Sequence, residues 1–184
     1  MKRVIAFVAV LMLLLSMSAC SCENNSDLPA NTTGGMQSSL EGTMEENVNK
    51  LMQANPAEFM GGMMTVDLKD TSEEGLWALK SYTGLDSAKD ITDAAAYEPM
   101  TGSQAFSLVM VRVANGVSAK EVARQMKENI DPRKWICAMA DQVMAAGCGD
   151  VVMFIMVDSG LGKTAQSYVD AFANLCGGKL DFTI

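Results

Sequence analysis

The 184-residue sequence contains no histidine, which removes the commonest general base and the commonest metal ligand from its chemistry. No Ser-His-Asp or Cys-His catalytic set can therefore form. Basic residues are also scarce, because 14 Lys and Arg face 22 Asp and Glu. Since an acidic protein repels phosphate backbones, nucleic acid is not an expected partner.

Long apolar runs are confined to the N-terminus, where two basic residues precede twelve apolar residues from Val4 to Leu15. Spanning a bilayer takes about 20 apolar residues, so the length of this run suits a signal peptide instead. The next four residues, Met17-Ser18-Ala19-Cys20, resemble the bacterial lipobox, with Met17 where Leu is usual. The sequence therefore predicts a lipoprotein signal peptide at 1–19.

Lipidation of Cys20 would place the protein outside the cell, anchored to the outer face of the cytoplasmic membrane. Two acyl chains are enough for a stable anchor. Ordinary signal-peptide cleavage after Ser18 or Ala19, without a lipid, is the alternative. Removal of residues 1–19 would leave 12 basic and 22 acidic residues, a net charge of −10.

Composition divides the rest of the chain in two. Residues 20–43 are rich in Ser, Asn, Thr and Gly and are expected to form a flexible tether. Residues 44–184 have the length and apolar content of a single folded domain.

Cysteine and methionine offer two kinds of sulfur chemistry. Apart from Cys20, the cysteines are Cys22, Cys137, Cys148 and Cys176. Outside the cell these could pair in three ways, or they could be small buried residues. No CxxC spacing supports a zinc or thioredoxin-like site.

Met60, Met63 and Met64 surround two glycines. Thioethers can bind Cu(I), but core packing is the preferred interpretation, and no metal or other cofactor is expected.

Hydrophobic periodicity and helix caps predict an α+β fold. Helices are expected at 44–54, 72–82, 118–130 and 164–175, and strands at 94–100, 105–113, 151–157 and 180–184. Residues 134–146 fit either a helix or two short strands. The expected domain is a mixed or antiparallel sheet packed against amphipathic helices.

Five segments of the chain carry a family resemblance. They are Tyr82-Thr83-Gly84-Leu85-Asp86, Glu98-Pro99-Met100, residues 103–113, Glu128 to Cys137, and Gly149-Asp150-Val151-Val152. Together they resemble a domain-of-unknown-function family of small Gram-positive, clostridial-type lipoproteins, over roughly residues 44–175. Thr83 is inserted in the family's YGID-type turn. The resemblance implies an anchored extracytoplasmic domain and a strand–turn–strand at 142–157, with no catalytic residue to carry over.

Two motifs invite a ligand-binding interpretation that their details oppose. Gly162-Lys163-Thr164 follows a strong strand and opens a helix, as in a phosphate-binding loop, but Val157 stands where that loop needs glycine. Nucleotide binding is therefore not expected, and Lys163 should be solvated beside a helix cap. The acidic run Asp67, Asp70, Glu73 and Glu74 lacks the pattern of a calcium loop and should be a solvated helix start.

The candidate interaction surface is Arg133, Lys134 and Trp135, because Arg and Trp together are typical of interfaces. A structural alternative leaves Arg133 and Lys134 in solvent and places Trp135 against the core. No catalytic residue is assigned. The sequence therefore favours a non-catalytic binding or interaction module whose partner is an envelope protein or wall component. The alternatives are a carboxylate-dependent hydrolase acting on envelope material and a purely structural accessory lipoprotein.

Overall fold

A computed structural model describes residues 40–184 of the chain. The predicted signal peptide, the lipidation site Cys20, Cys22 and the predicted tether as far as residue 39 lie outside the described residues. None of the helices within 40–184 has the length and apolar content needed to cross a membrane.

The described part of the chain contains four α-helices, six strands and a short 3-10 helix at Ser159–Leu161. In chain order the α-helices and strands are α1 (Met44–Ala54), β1 (Gly61–Thr65), α2 (Glu73–Thr83), β2 (Ile91–Pro99), β3 (Phe106–Val113), α3 (Ala119–Asn129), β4 (Gln142–Cys148), β5 (Val151–Val157), α4 (Ala165–Leu175) and β6 (Phe182–Thr183). The strands form one antiparallel sheet in the order β1-β2-β3-β5-β4-β6. The predicted α+β fold, with a sheet packed against amphipathic helices, is confirmed.

Side-chain caps determine where the helices begin. Thr43 accepts a hydrogen bond from the Glu46 amide and the Glu46 carboxylate accepts one from the Thr43 amide, which satisfies two otherwise unpaired donors at the start of α1. Ser118 caps α3 by accepting a hydrogen bond from the Glu121 amide. In α2 the cap is Ser72, so this helix begins at Glu73, one residue after the predicted start at 72, and the left-handed Gly84 ends it.

The two faces of the sheet bury separate cores, because strand side chains alternate between them. One face, here the closed face, packs against α1 and α4 and buries large side chains such as Phe106 and Tyr168. The other, here the open face, packs against α2, α3 and the connecting segment 130–141. Its buried strand residues are mostly small, such as Ala96, Val109 and Val111.

The ambiguous segment 134–146 contains no helix. Its second half becomes β4, which pairs with β5 through a tight turn at Gly149, where φ is 61°. This confirms the strand–turn–strand implied by the family resemblance. Strand β1 was not predicted from the sequence. It is a short edge strand that begins with two glycines, and a Cβ at Gly61 would lie 2.4 Å from the Tyr97 ring.

A polar cluster holds the start of the described chain against one end of the sheet. The Arg112 guanidinium donates to both carboxylate oxygens of Asp150 at 2.9 Å and to the carbonyl oxygens of Leu40 and Gly42 at 2.7 and 3.0 Å. Leu40 is buried. Residues 40–43, assigned to the tether from the sequence, therefore pack with the domain. We call this end of the sheet, marked by Arg112, the entry end.

Candidate functional site

The end of the sheet opposite Arg112 carries exposed apolar side chains. Strands β1, β3 and β4 begin there, and β2 and β5 end there. The exposed large hydrophobic residues of the described chain are Met60, Leu76, Trp77, Met100, Ile136 and Met139. Four of these residues precede or follow strands at this end of the sheet: Met60, Met100, Ile136 and Met139. We call the surface that these four side chains form the apolar end. Their exposed fractions are 79%, 68%, 90% and 54%.

Backbone hydrogen bonds fix the position of the apolar end. The Met100 amide donates to the Met60 carbonyl at 3.1 Å, which extends the β1–β2 ladder and makes these two side chains neighbours on one side of the sheet. The Ile136 amide donates to the Gly102 carbonyl at 3.2 Å, and the Ile136 side chain lies against Gly102. The expectation that Met60 fills the core is therefore wrong, whereas Met63 and Met64 do pack against the two cores.

A buried ion pair lies beside the apolar end on the open face. The Lys134 ammonium donates to Glu98 Oε1 at 2.5 Å, to the Ser81 carbonyl at 2.9 Å and to Ser107 Oγ at 3.4 Å. The Lys134 and Glu98 side chains are only 13% and 14% exposed. The expectation that Lys134 is solvated is therefore wrong. Burial lowers the pKa of Lys134, and the neighbouring Glu98 carboxylate partly opposes that change.

The contacts of this ion pair favour a structural role. Ser107 donates to Glu98 Oε1 at 2.6 Å and is fully buried, so its hydroxyl is closed to any substrate. All three ammonium hydrogens of Lys134 have protein acceptors, which is the condition under which a buried charge is tolerated. The pair therefore ties segment 130–141 to α2 and to the sheet. It thereby positions the backbone that presents Ile136.

A groove separates α2 from the end of α3. It is lined by Trp77, Lys80, Ser81, Asn129, Ile130, Asp131 and Lys134, and its volume is about 240 Å³. We call it the Trp77 groove, because it is lined by Trp77, which is 70% exposed.

The three predicted interaction residues do not form one exposed surface. Lys134 lines the Trp77 groove, and its ammonium lies 5.4 Å from the centroid of the Trp135 ring, which packs against the open-face core. Only Arg133 of the three is exposed. The sequence did not indicate Met60 or Met100 as parts of a surface, because strand pairing brings together positions that lie far apart in the chain. Nor did it indicate Trp77, which is exposed on α2.

The remaining motifs have local structural roles. Lys163 donates to Asn55 Oδ1 at 2.5 Å, so it is bound to α1 and not merely solvated, while Thr164 caps α4. Asp70 lies at the start of α2, where hydrogen bonds from Ser72 lower its pKa. Across residues 40–184, no three His, Cys, Asp or Glu side chains are grouped to hold a metal ion. Cys137 is an exposed free thiol, whereas Cys148 is buried.

Comparisons with protein-family models, with curated proteins and with solved structures found no match to this chain. The apolar end and the Trp77 groove are the candidate binding surfaces of the described chain.

Proposed function

We propose that this protein is an exported, lipid-anchored and non-catalytic binding module that contacts a protein of the cell envelope through its apolar end. The supporting observation is that the exposed Met60 and Met100 lie side by side at this end of the sheet, with the exposed Ile136 held beside Gly102, two residues after Met100. The exposed Met139 lies three residues before β4, which begins at the same end. Contiguous exposed apolar patches mark interaction sites in soluble domains. Methionine suits such a surface because its flexible side chain adapts to a partner.

The location of the apolar end fits a tethered protein. Residue 40 meets the domain at Arg112, and β3 runs for eight residues from the apolar end to this entry end. At about 3.4 Å per residue, the two ends are about 24 Å apart. A lipid on Cys20 would therefore connect to the end without the apolar side chains, leaving them accessible to a partner.

The contacts of the charged groups give less support to the hydrolase alternative. Glycosidase-type hydrolysis needs two carboxylates that face one cleft. The Trp77 groove is lined by one carboxylate, Asp131, together with two lysines. The nearby Glu98 is paired with Lys134 and mostly buried. Within the Trp77 groove this arrangement supports binding over catalysis. A second pocket does gather three carboxylates, Asp67, Asp70 and Glu74, but Asp67 and Asp70 each accept a hydrogen bond from a neighbouring backbone amide as part of the local turn before α2.

The binding proposal is tested by placing charges at the apolar end. The double variant Met100→Lys/Ile136→Lys puts two charges among its side chains, and Gln53→Lys/Asn174→Lys puts the same charges on exposed positions of α1 and α4. Intact envelopes are cross-linked and proteins recovered with each variant are quantified against wild type. We expect the Gln53/Asn174 variant to match wild type and the Met100/Ile136 variant to lose specific partners at least tenfold. Equal recovery with both variants would contradict the proposal.

The anchor is tested separately from the partner. Globomycin treatment should cause a longer precursor to accumulate, and Cys20→Ala should release the protein from the membrane fraction. If the Cys20→Ala protein still fractionates with membranes and no precursor accumulates, the lipoprotein part of the proposal is wrong.

A further inference from the structure

We propose that the Trp77 groove is a second binding site, separate from the apolar end, and that its ligand is a neutral sugar ring. Trp77 on α2 forms one wall, Asn129 and Asp131 at the end of α3 form the other, and Ile130 and Lys134 complete the lining. The groove volume of about 240 Å³ is below the roughly 300–1,000 Å³ typical of sites for drug-sized molecules. The space therefore suits one small ring.

The charges of the groove select against an ionic ligand. Lys134 is buried and paired with Glu98 at 2.5 Å, whereas the pair of Lys80 with Asp86 at 2.7 Å is exposed to solvent and compensates the Lys80 charge only in part. A cationic ligand would therefore meet the Lys80 ammonium, whereas an anionic ligand would meet the Asp131 carboxylate. A neutral ligand avoids both repulsions.

The other polar side chains that line the groove are suited to binding hydroxyl groups. Among residues 40–184, the Asn129 side-chain amide makes no hydrogen bond, and Asp131 uses one carboxylate oxygen, Oδ1, to accept from the Arg133 amide at 2.9 Å. The Asn129 amide can both donate and accept hydrogen bonds, and the Asp131 carboxylate can accept them. Because a hydroxyl group also donates and accepts, the two side chains together can bind adjacent hydroxyl groups of a ligand. The exposed Trp77 ring offers a flat apolar face for the C–H side of the sugar.

The walls of the groove are held in place before a ligand binds. The Lys134 ammonium donates to the Ser81 carbonyl on α2, while the Lys134 amide donates to the Asp131 carbonyl on the opposite wall at 3.3 Å. One residue therefore links both walls. Such preorganisation reduces the entropy lost on binding.

Tryptophan fluorescence tests this proposal directly, because the chain contains only two tryptophans. Trp135→Phe leaves Trp77 as the single fluorophore. We expect a saturable change in its emission with a neutral N-acetylglucosamine tetramer, with a Kd of about 0.1–1 mM. The cationic glucosamine tetramer and an anionic galacturonate tetramer should bind at least tenfold more weakly.

Calorimetry with the neutral tetramer measures variants that lack the fluorophore. Trp77→Ala should lose binding at least tenfold and Asn129→Ala several-fold, while Trp77→Phe keeps part of the affinity. Met100→Lys/Ile136→Lys should bind the tetramer like wild type, which separates this site from the apolar end. Circular dichroism checks that each variant is folded, as expected for changes at exposed positions.

Three results would overturn the proposal. One is the absence of a saturable signal with any of the three oligosaccharides in the folded Trp135→Phe protein. Another is equal affinity for the neutral and charged tetramers. The third is loss of envelope-protein capture in Trp77→Ala with retention in Met100→Lys/Ile136→Lys, because the groove would then be a protein contact.

Discussion

The two faces of the sheet differ in how they use their apolar side chains. On the closed face, three aromatic rings pack around Phe106, with centroid distances of 5.0 Å to Phe59, 6.3 Å to Tyr97 and 5.2 Å to Tyr168. None of the exposed large hydrophobic residues within 40–184 belongs to α1 or α4, which cover this face. The closed face therefore buries its apolar surface within the chain.

The open face leaves apolar surface unburied and buries a charge. Leu76 and Trp77 on its helix α2 are exposed, and Ile136 and Met139 on its connecting segment are exposed as well. The Lys134–Glu98 pair lies within the same face. Buried ion pairs contribute less to stability than well-packed apolar groups. Both faces bury an extensive core, but only the open face combines its core with a buried ion pair and exposed apolar side chains. Binding is therefore expected on the open face and its apolar end.

The largest expected difference in stability is between alanine variants of Phe106 and of Ile136. Phe106→Ala removes a fully buried ring from the aromatic group and should lower the free energy of unfolding by about 4 kcal/mol. Ile136→Ala removes a side chain that is 90% exposed and should change it by less than about 0.5 kcal/mol. Urea denaturation measures both values. A loss above about 2 kcal/mol for Ile136→Ala would show that the apolar end is needed for folding.

Breaking the Lys134–Glu98 ion pair of the open face should have the next largest effect on stability. Lys134→Met leaves the mostly buried Glu98 carboxylate without its counter-ion and should lower the free energy of unfolding by about 3 kcal/mol. Its exposed neighbour provides the control, since Arg133→Met should change stability by less than about 0.5 kcal/mol. The double variant Lys134→Met/Glu98→Gln should recover part of the loss. If Lys134→Met and Arg133→Met were equally stable, the ion pair would not hold the segment.

The smallest effect concerns the pH dependence of the closed face. Burial, and to a lesser extent Tyr97 and Glu58, raises the pKa of Tyr168 from 10.0 to about 12. The folded protein therefore keeps this proton where the unfolded chain loses it, so the contribution of Tyr168 to stability is complete below pH 10 and declines as the pH rises from 10 towards 12. In an absorbance titration at 295 nm, Tyr168→Phe should remove the highest-pH tyrosinate step. Loss of a step near pH 10 instead would contradict the burial of this ring.

Local signals in the sequence predicted much of the fold. The boundaries of α1 and β5 matched, because each combines a clear apolar pattern with a cap or a turn. Strand β1 was not predicted because Gly61 and Gly62 have low strand propensity and its stability comes from pairing with β2. The burial of Lys134 depends on Glu98 and Ser81, which lie 36 and 53 residues away in sequence.

The sequence predicted the candidate surfaces less well than it predicted the fold. Arg133-Lys134-Trp135 indicated the right segment, but the exposed apolar residue in that segment is Ile136. Met60 was expected in the core because methionine commonly fills cores, and nothing in the sequence around it indicates that it is exposed. Its position beside Met100 follows only from the β1–β2 register.

Site-specific photo-crosslinking on cells tests most directly whether the apolar end is the binding surface. A photoreactive amino acid is placed at Ile136 in one protein and at the exposed Asn174 of the closed face in another, both in the full chain. We expect a discrete crosslinked product of one partner protein from position 136, lost on adding Met100→Lys, and none from position 174. Products of equal yield from both positions, or from position 174 alone, would contradict it.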